Sequence, residues 1–248
     1  MSPTSPSYAV ETVELTKSYG SHKAVDGLNL QVPTGSVYGL LGPNGAGKTT
    51  TLKLITGLLR PGQGAVQLFG KPWQRAALAR VGALIETPAL YPNLTGAENL
   101  EVHRRLLGLP RQRIDEVLGQ VGLQDAAGKR AGAYSLGMKQ RLGIAIALLG
   151  SPELLILDEP TNGLDPIGIQ EMRELIRSFH AQGITLIVSS HILAEVQQVV
   201  THIGIIAGGR LHYQGPWGGD DLEEFFMKTV APGAGVPAQP GGQGRDGQ

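Results

Sequence analysis

Gly42, Pro43, Asn44, Gly45, Ala46, Gly47, Lys48, Thr49 and Thr50 stand in unbroken order in the first quarter of the chain. Gly42 and Gly47 bracket four residues, and a lysine and a threonine follow at once. An apolar run, residues 37–41, precedes the stretch as a buried strand would, and a helix-compatible segment, 49–58, follows it. Strand, glycine-rich loop and helix in that order read as a phosphate cradle. Glycine lets the backbone curl so that successive N–H groups face one anion. The helix N-terminus adds unpaired donors and the positive end of a dipole. In such a loop Lys48 reaches the β- and γ-phosphates of a nucleotide, and the Thr49 hydroxyl meets Mg²⁺. A plain strand-to-helix turn would leave the Lys-Thr pair unexplained.

The rest of the composition narrows the setting. A chain of 248 residues is long for one compact domain, so one α/β domain with an inserted subdomain is the expectation. Lys+Arg and Asp+Glu balance at 21 each, which leaves no electrostatic footprint for nucleic acid. With no cysteine there is no disulfide framework, thiolate metal site or thiol nucleophile. No apolar run approaches the roughly 20 residues that span a bilayer, and residues 1–7 lack a signal peptide's basic and apolar regions. Membrane association is therefore expected to go through a partner.

Taken in order, residues 8–16 and 24–32 alternate apolar and polar positions. They read as two strands of an antiparallel sheet, with 17–23 as the turn between them. Strands are expected at 65–69 and 81–85. From about 88 to about 149 the pattern turns helical, with Leu100, Leu106 and Leu107 on one helix and Ile114, Val117, Leu118 and Val121 on the next. Thr95 and Glu98 form a capping-box pattern. This region reads as a helical insertion. Residues 153–158 and 184–188 are strands apolar enough to be buried on both faces, as in a parallel sheet. Helices are expected at 166–181, 192–200 and 220–227, and a hairpin around Gly208-Gly209. The Gly/Pro/Gln-rich stretch 231–248 reads as a disordered tail, so one nucleotide-binding domain spans 1–230.

The second chemical signal is Asp158 and Glu159, two adjacent carboxylates at the C-terminal end of an apolar strand, where open α/β sheets bind ligands. Asp158 suits a Mg²⁺ ligand, and Glu159 suits a group that orients or deprotonates the attacking water.

These residues, with Tyr134-Ser135-Leu136-Gly137-Met138-Lys139-Gln140-Arg141, Asn162-Gly163-Leu164-Asp165 and Ser190-His191 in that order, resemble the motifs of ABC transporter ATP-binding subunits. The resemblance covers about residues 8–227. It implies a P-loop NTPase (RecA-like) fold of the α/β class: a mostly parallel core, an antiparallel β subdomain and an inserted α-helical subdomain. It implies a homodimer, head to tail, with ATP between the P-loop of one copy and Ser135 and Gly137 of the other. Asp165 would join that contact, His191 would sense the γ-phosphate, and Tyr19 would stack on adenine. On their own residues, His191 also reads as structural and Tyr19 as cover for a sheet edge.

Two segments depart from the family pattern. Leu136 and Met138 replace a glycine and a glutamine of the signature, and Glu86 stands where most members carry glutamine. Glu86 has the size to bind the metal, but its charge is repelled by the γ-phosphate. Both departures resemble a narrower branch, the ATPase subunits of bacitracin-resistance and lantibiotic self-immunity exporters. An integral membrane permease is the implied partner, with segment 87–99 as its contact and the cytoplasmic face of the membrane as its place. A soluble assembly ATPase and a non-hydrolysing ATP switch are the alternative functions.

Overall fold

The computed structural model describes residues 7–219 and 221–231. Residues 1–6 and the expected tail from residue 232 lie outside the described residues. The chain opens with the strands Tyr8–Tyr19 (β1), His22–Leu28 (β2), Gln31–Pro33 (β3) and Val37–Leu41 (β4), then the helix Lys48–Ile55 (α1). Strands Gln63–Leu68 (β5), Lys71–Pro72 (β6) and Val81–Leu84 (β7) follow, with a 3₁₀ turn over Arg75–Arg80. The helices Gly96–Leu107 (α2), Gln112–Gln120 (α3) and Leu136–Leu148 (α4) come next. Leu154–Asp158 (β8), Pro166–Ala181 (α5), Thr185–Ser190 (β9), Leu193–Val196 (α6), His202–Ala207 (β10), Arg210–Pro216 (β11) and Leu222–Val230 (α7) complete the order.

Six strands form a sheet in the order β11-β10-β4-β9-β8-β7, parallel from β10 to β7 with β11 antiparallel at the edge. The second sheet is antiparallel, in the order β2-β1-β5-β6 with β3 also on β1. Alternate residues of the parallel strands feed two different cores, as the two-residue period of a strand requires. Leu154, Ile156, Ile187 and Leu40 pack with α1 and the antiparallel sheet. Leu155, Leu157, Leu186, Val188 and Leu41 pack with the helices α2 to α5. Burial on both faces is why these runs carry no polar alternation.

Several local expectations shift. The turn expected over 17–23 shrinks to Gly20 and Ser21, because Lys17, Ser18 and Tyr19 stay paired with Val25, Lys23 and His22. The single strand expected over 24–32 is two. The chain breaks after Leu28, and Asn29 fastens to a bulge at Glu14, which sits at φ 48°: its Oδ1 accepts from Glu14 N at 2.8 Å, and its Nδ2 donates to Glu14 Oε1 at 2.6 Å. The helix expected over 192–200 holds only at Leu193–Val196. Arg173 and Arg177 of α5 take the carbonyls of Ala194, Glu195 and Gln198, which a continuing helix would need for itself.

In the helical layer the capping box forms as read. Thr95 Oγ1 accepts from Glu98 N, and Glu98 Oε2 accepts from Thr95 N. Those bonds to Thr95 hold the Glu98 carboxyl below its ordinary pKa. Leu100 is fully buried, but Leu106 and Leu107 are exposed, because α2 projects past the core before Gly108 ends it. Gly143 of α4 and Gly82 of β7 let these elements touch: a Cβ at Gly143 would meet Pro88 Cβ at 2.7 Å, and one at Gly82 would collide with the Ala147 carbonyl.

Fully buried Asn99 organises the connection from β7 to α2. Its Oδ1 accepts from Tyr91 N at 2.8 Å, and its Nδ2 donates to Tyr91 O at 3.1 Å and Thr95 O at 2.9 Å. Asn99→Ala leaves those buried groups unpaired, at a cost of about 2–3 kcal/mol. The expected fall in Tm is roughly 5–10 °C for a chain of this size, measured by thermal denaturation beside wild type.

Candidate active site

The loop between β4 and α1 is shaped by its glycines. Gly45 and Gly47 hold φ of 78° and 104°. A Cβ at Gly42 would collide with the Ile206 carbonyl, and one at Gly47 with the Ala24 carbonyl. The loop is clasped from outside as well: Gly209 N donates to Ala46 O at 3.1 Å, and Asp26 N donates to Gly209 O at 2.9 Å. Arg210 and Lys23 both pair with Asp26, fastening β2 to the β10–β11 hairpin and holding the Asp26 carboxyl below its ordinary pKa. Buried Lys48 is aimed by three oxygens: its Nζ donates to Gly42 O at 2.7 Å and Pro43 O at 3.3 Å, and it lies 3.1 Å from Glu159 Oε1.

Parallel register delivers the remaining groups to the same edge. Leu41 is opposite Ser190, Asp158 opposite Ser189, and Leu84 opposite Leu157. The chain therefore leaves β4, β9 and β8 at one level, beside the loop. Thr49 Oγ1 donates to Asp158 Oδ2 at 2.9 Å. Ser189 Oγ donates to Asp158 Oδ1 at 2.6 Å and accepts from Glu159 N at 2.9 Å. Glu159 stands at φ 49°, a strained conformation for a non-glycine residue that neighbouring bonds must hold. Its second carboxylate oxygen meets His191 Nδ1 at 2.8 Å.

Together these residues line a cleft of about 470 Å³, with Pro43, Asn44, Gly45, Ala46, Gly47, Lys48, Thr49 and Thr50 on one side and Glu159, Asn162 and His191 on the other. His22 and Ala24 of β2 close a third wall. One wall offers a cation and a curled loop for phosphate. The Thr49 hydroxyl and Asp158 carboxylate, in contact with each other, are hard oxygen donors of the kind Mg²⁺ takes beside phosphate oxygens. Among the described residues no cluster of three or more His, Cys, Asp or Glu could hold a metal without such help.

Other residues singled out in the sequence stand apart from this cleft. The half-exposed Tyr19 ring sits near the Lys17 ammonium and does not line the cleft. Glu86, at φ 62°, directs its carboxylate to Lys53 Nζ at 2.8 Å and does not line the cleft either. Ser135, Gly137 and Asp165 line a second cavity, of about 390 Å³. There Ser135 Oγ caps α4 by accepting from Met138 N at 3.2 Å, and Asp165 Oδ1 caps α5 by accepting from Gly168 N at 2.8 Å. Sequence reasoning missed Ser189, although a polar residue ending an apolar strand beside an Asp-Glu pair was a usable signal. It also missed His22 and Ala24, which reach the cleft only through sheet packing.

Residues 25–162 match the profile of the ABC transporter family. The chain belongs to that family. A bacitracin transport ATP-binding protein of Bacillus licheniformis is 52% identical over 226 residues, covering 89% of this chain and 73% of its own length. A lantibiotic transport ATP-binding protein of Streptococcus pyogenes is 47% identical over 217 residues, covering 87% and 95%. Among solved structures, cbiO1 of Clostridium perfringens, part of the ABC transporter complex cbiONQ, superposes with a TM-score of 0.77 at 29% identity, over 85% of this chain and 89% of that one. ABC ATP-binding subunits are ATPases, and the cleft around Lys48 has the groups that reaction needs.

Ser189 ties the two acids of this ABC ATPase to one hydroxyl. Its loss frees both the Asp158 carboxylate and the strained Glu159 backbone. Hydrogen bonds to charged groups are worth about 1.5–3 kcal/mol, so Ser189→Ala is expected to lower kcat by about tenfold or more. Steady-state ATPase assays at saturating ATP check this, with KM for ATP expected to change far less.

Proposed function

We propose that this chain powers export of a peptide antibiotic of the bacitracin or lantibiotic kind through a separate membrane permease, giving resistance or self-immunity. The similarity to bacitracin and lantibiotic transport ATP-binding proteins carries the cargo class. The place of cbiO1 in a transporter complex favours a transporter subunit over a soluble assembly ATPase. Among the described residues no helix is long and apolar enough to cross a membrane, so the permease supplies the pathway and this chain, one ATPase domain over residues 1–230, sits against its cytoplasmic side.

The division of the site into two cavities supports a head-to-tail pair of copies. One cavity has the loop, Lys48, Glu159 and His191, with buried Asp158 bonded behind Thr49; the other has Ser135, Gly137 and Asp165. Ser135 and Gly137 stand at the N-terminal end of α4, where a helix favours an anion. In the pair, ATP bound to one copy meets that helix end of the other. Closure then follows from ATP having more contacts in the closed state than in the open one.

Bound Mg²⁺ would draw charge from the β- and γ-phosphates, held by the Thr49 hydroxyl and Asp158. Lys48 holds the same phosphates from the loop side. Glu159 orients and deprotonates the attacking water, with His191 holding the carboxylate in place. An apolar groove of about 240 Å³, lined by Leu58, Ile85, Pro88, Ala89, His103 and Ile146, opens beside Glu86. Burial keeps the His103 imidazole below its ordinary pKa, so it presents a neutral face. This groove and segment 87–99 suit a permease segment that reports closure to the site.

Glu159→Gln keeps the size of the side chain and removes the base. Its ATPase rate is expected to fall by at least about 10²-fold, with an ATP-dependent dimer accumulating in size-exclusion chromatography; wild-type turnover would remove Glu159 from this role. Deleting the subunit in its native host is expected to raise sensitivity to bacitracin or a lantibiotic in growth-inhibition assays. Unchanged sensitivity to both would overturn the cargo class and leave the ATPase assignment standing.

A further inference from the structure

We propose that Lys53 is a positioning residue for the loop acid, holding Glu86 outside the nucleotide cleft until the metal draws it in. The inference rests on the ATPase reading above and adds a residue to it. Lys53 lies on α1 one turn beyond Thr49, on the same side of the helix. Its Nζ is 2.8 Å from Glu86 Oε1. Glu86 follows β7, and β7 runs parallel to β8 with Leu84 opposite Leu157. Two residues further on, Glu86 leaves the sheet at the level where β8 delivers Asp158 and Glu159.

Three carboxylates thus crowd one end of two neighbouring strands, and each has its own partners. Asp158 takes the hydroxyl hydrogens of Thr49 and Ser189. Glu159 takes Lys48 and His191. Glu86 takes Lys53. Without Lys53, the third acid would face the other two and any bound phosphate with nothing to offset its charge. The backbone carries the same message: Glu86 and Glu159 are two of the five described non-glycine residues at positive φ, and they end adjacent strands. A retracted acid on a strained hinge, held by one cation, is poised to move.

The strength of the hold fits release. The Glu86 side chain is 62% exposed and that of Lys53 26%, and ion pairs this wet contribute little and are easily broken. A bound divalent cation offers Glu86 a stronger partner than a solvated ammonium. Removing Lys53 therefore frees the acid for the metal.

The test is a double-mutant cycle on the purified full chain: wild type, Lys53→Gln, Glu86→Gln and the double variant. A fluorescent, non-hydrolysable ATP analogue is titrated with EDTA and with Mg²⁺, and the ratio of the two dissociation constants measures the gain from the metal. Lys53→Gln is expected to raise that ratio about two- to fivefold in the wild-type background. In the Glu86→Gln background it is expected to change it far less, because the pair is already gone. Lys53→Arg, which can keep the pair, is expected to match wild type. An equal shift in both backgrounds would show that the charge of Lys53 acts on the nucleotide directly, and would overturn the proposal; so would no shift in either. Wild-type ATP hydrolysis measured in parallel separates the readings: turnover without coupling defeats this inference alone, whereas absence of nucleotide binding defeats the ATPase reading.

Discussion

Asp158 is a nearly buried carboxylate, and its two short hydrogen bonds set the geometry of everything around it. A buried charge is tolerated only when its oxygens are satisfied, and here Thr49 and Ser189 satisfy one oxygen each. The first bond locks the start of α1 to the end of β8. The second locks β8 to β9. Because Ser189 also accepts from the Glu159 amide, the same hydroxyl fixes the next residue in its left-handed conformation. The glycine-rich loop and the Asp158 and Glu159 carboxylates are thereby referenced to one point.

The double-sided core makes that point rigid. Strands β4, β8 and β9 are buried on both faces, so their ends cannot tilt without disturbing two cores at once. Interiors packed at crystal-like density resist such movement. The elements beside Glu86 are held differently. Its ion pair lies at the surface, its backbone is strained, and the groove next to it is open. A stiff catalytic edge with a loosely held neighbour is the arrangement a transporter subunit needs, since chemistry demands fixed distances and coupling to a second protein demands something that moves.

The legible part of the sequence was the part where spacing alone determines geometry. Gly42 to Thr50 is continuous in sequence and in space, and the doubly buried strands announce themselves by lacking polar alternation. Thr95 and Glu98 are three residues apart and close on each other, as that spacing predicts. Side-chain direction was less legible. Tyr19 is paired across the turn with His22, yet its ring lies near Lys17, while His22 and Ala24 form the cleft wall. Helix α6 is short because of arginines some twenty residues upstream, and no local signal near 192–200 shows this.

The separation of Ser135, Gly137 and Asp165 from Lys48 is the same lesson carried one level higher. In each single chain these residues have complete local explanations: two are helix caps, and the third is a glycine at the start of α4. A cap needs no ligand. What the caps do accomplish is to expose two helix N-terminal ends along one cavity, with the apolar Leu136 laid against Gly163 beside them. Leu136, where most of the family has glycine, is exposed on this cavity and makes it more apolar, whereas Met138, where most have glutamine, packs partly against the chain's own core. In the proposed head-to-tail pair, anion recognition from this half would fall on backbone N–H groups and the Ser135 hydroxyl, and exposed Leu136 would be left to pack against the second copy.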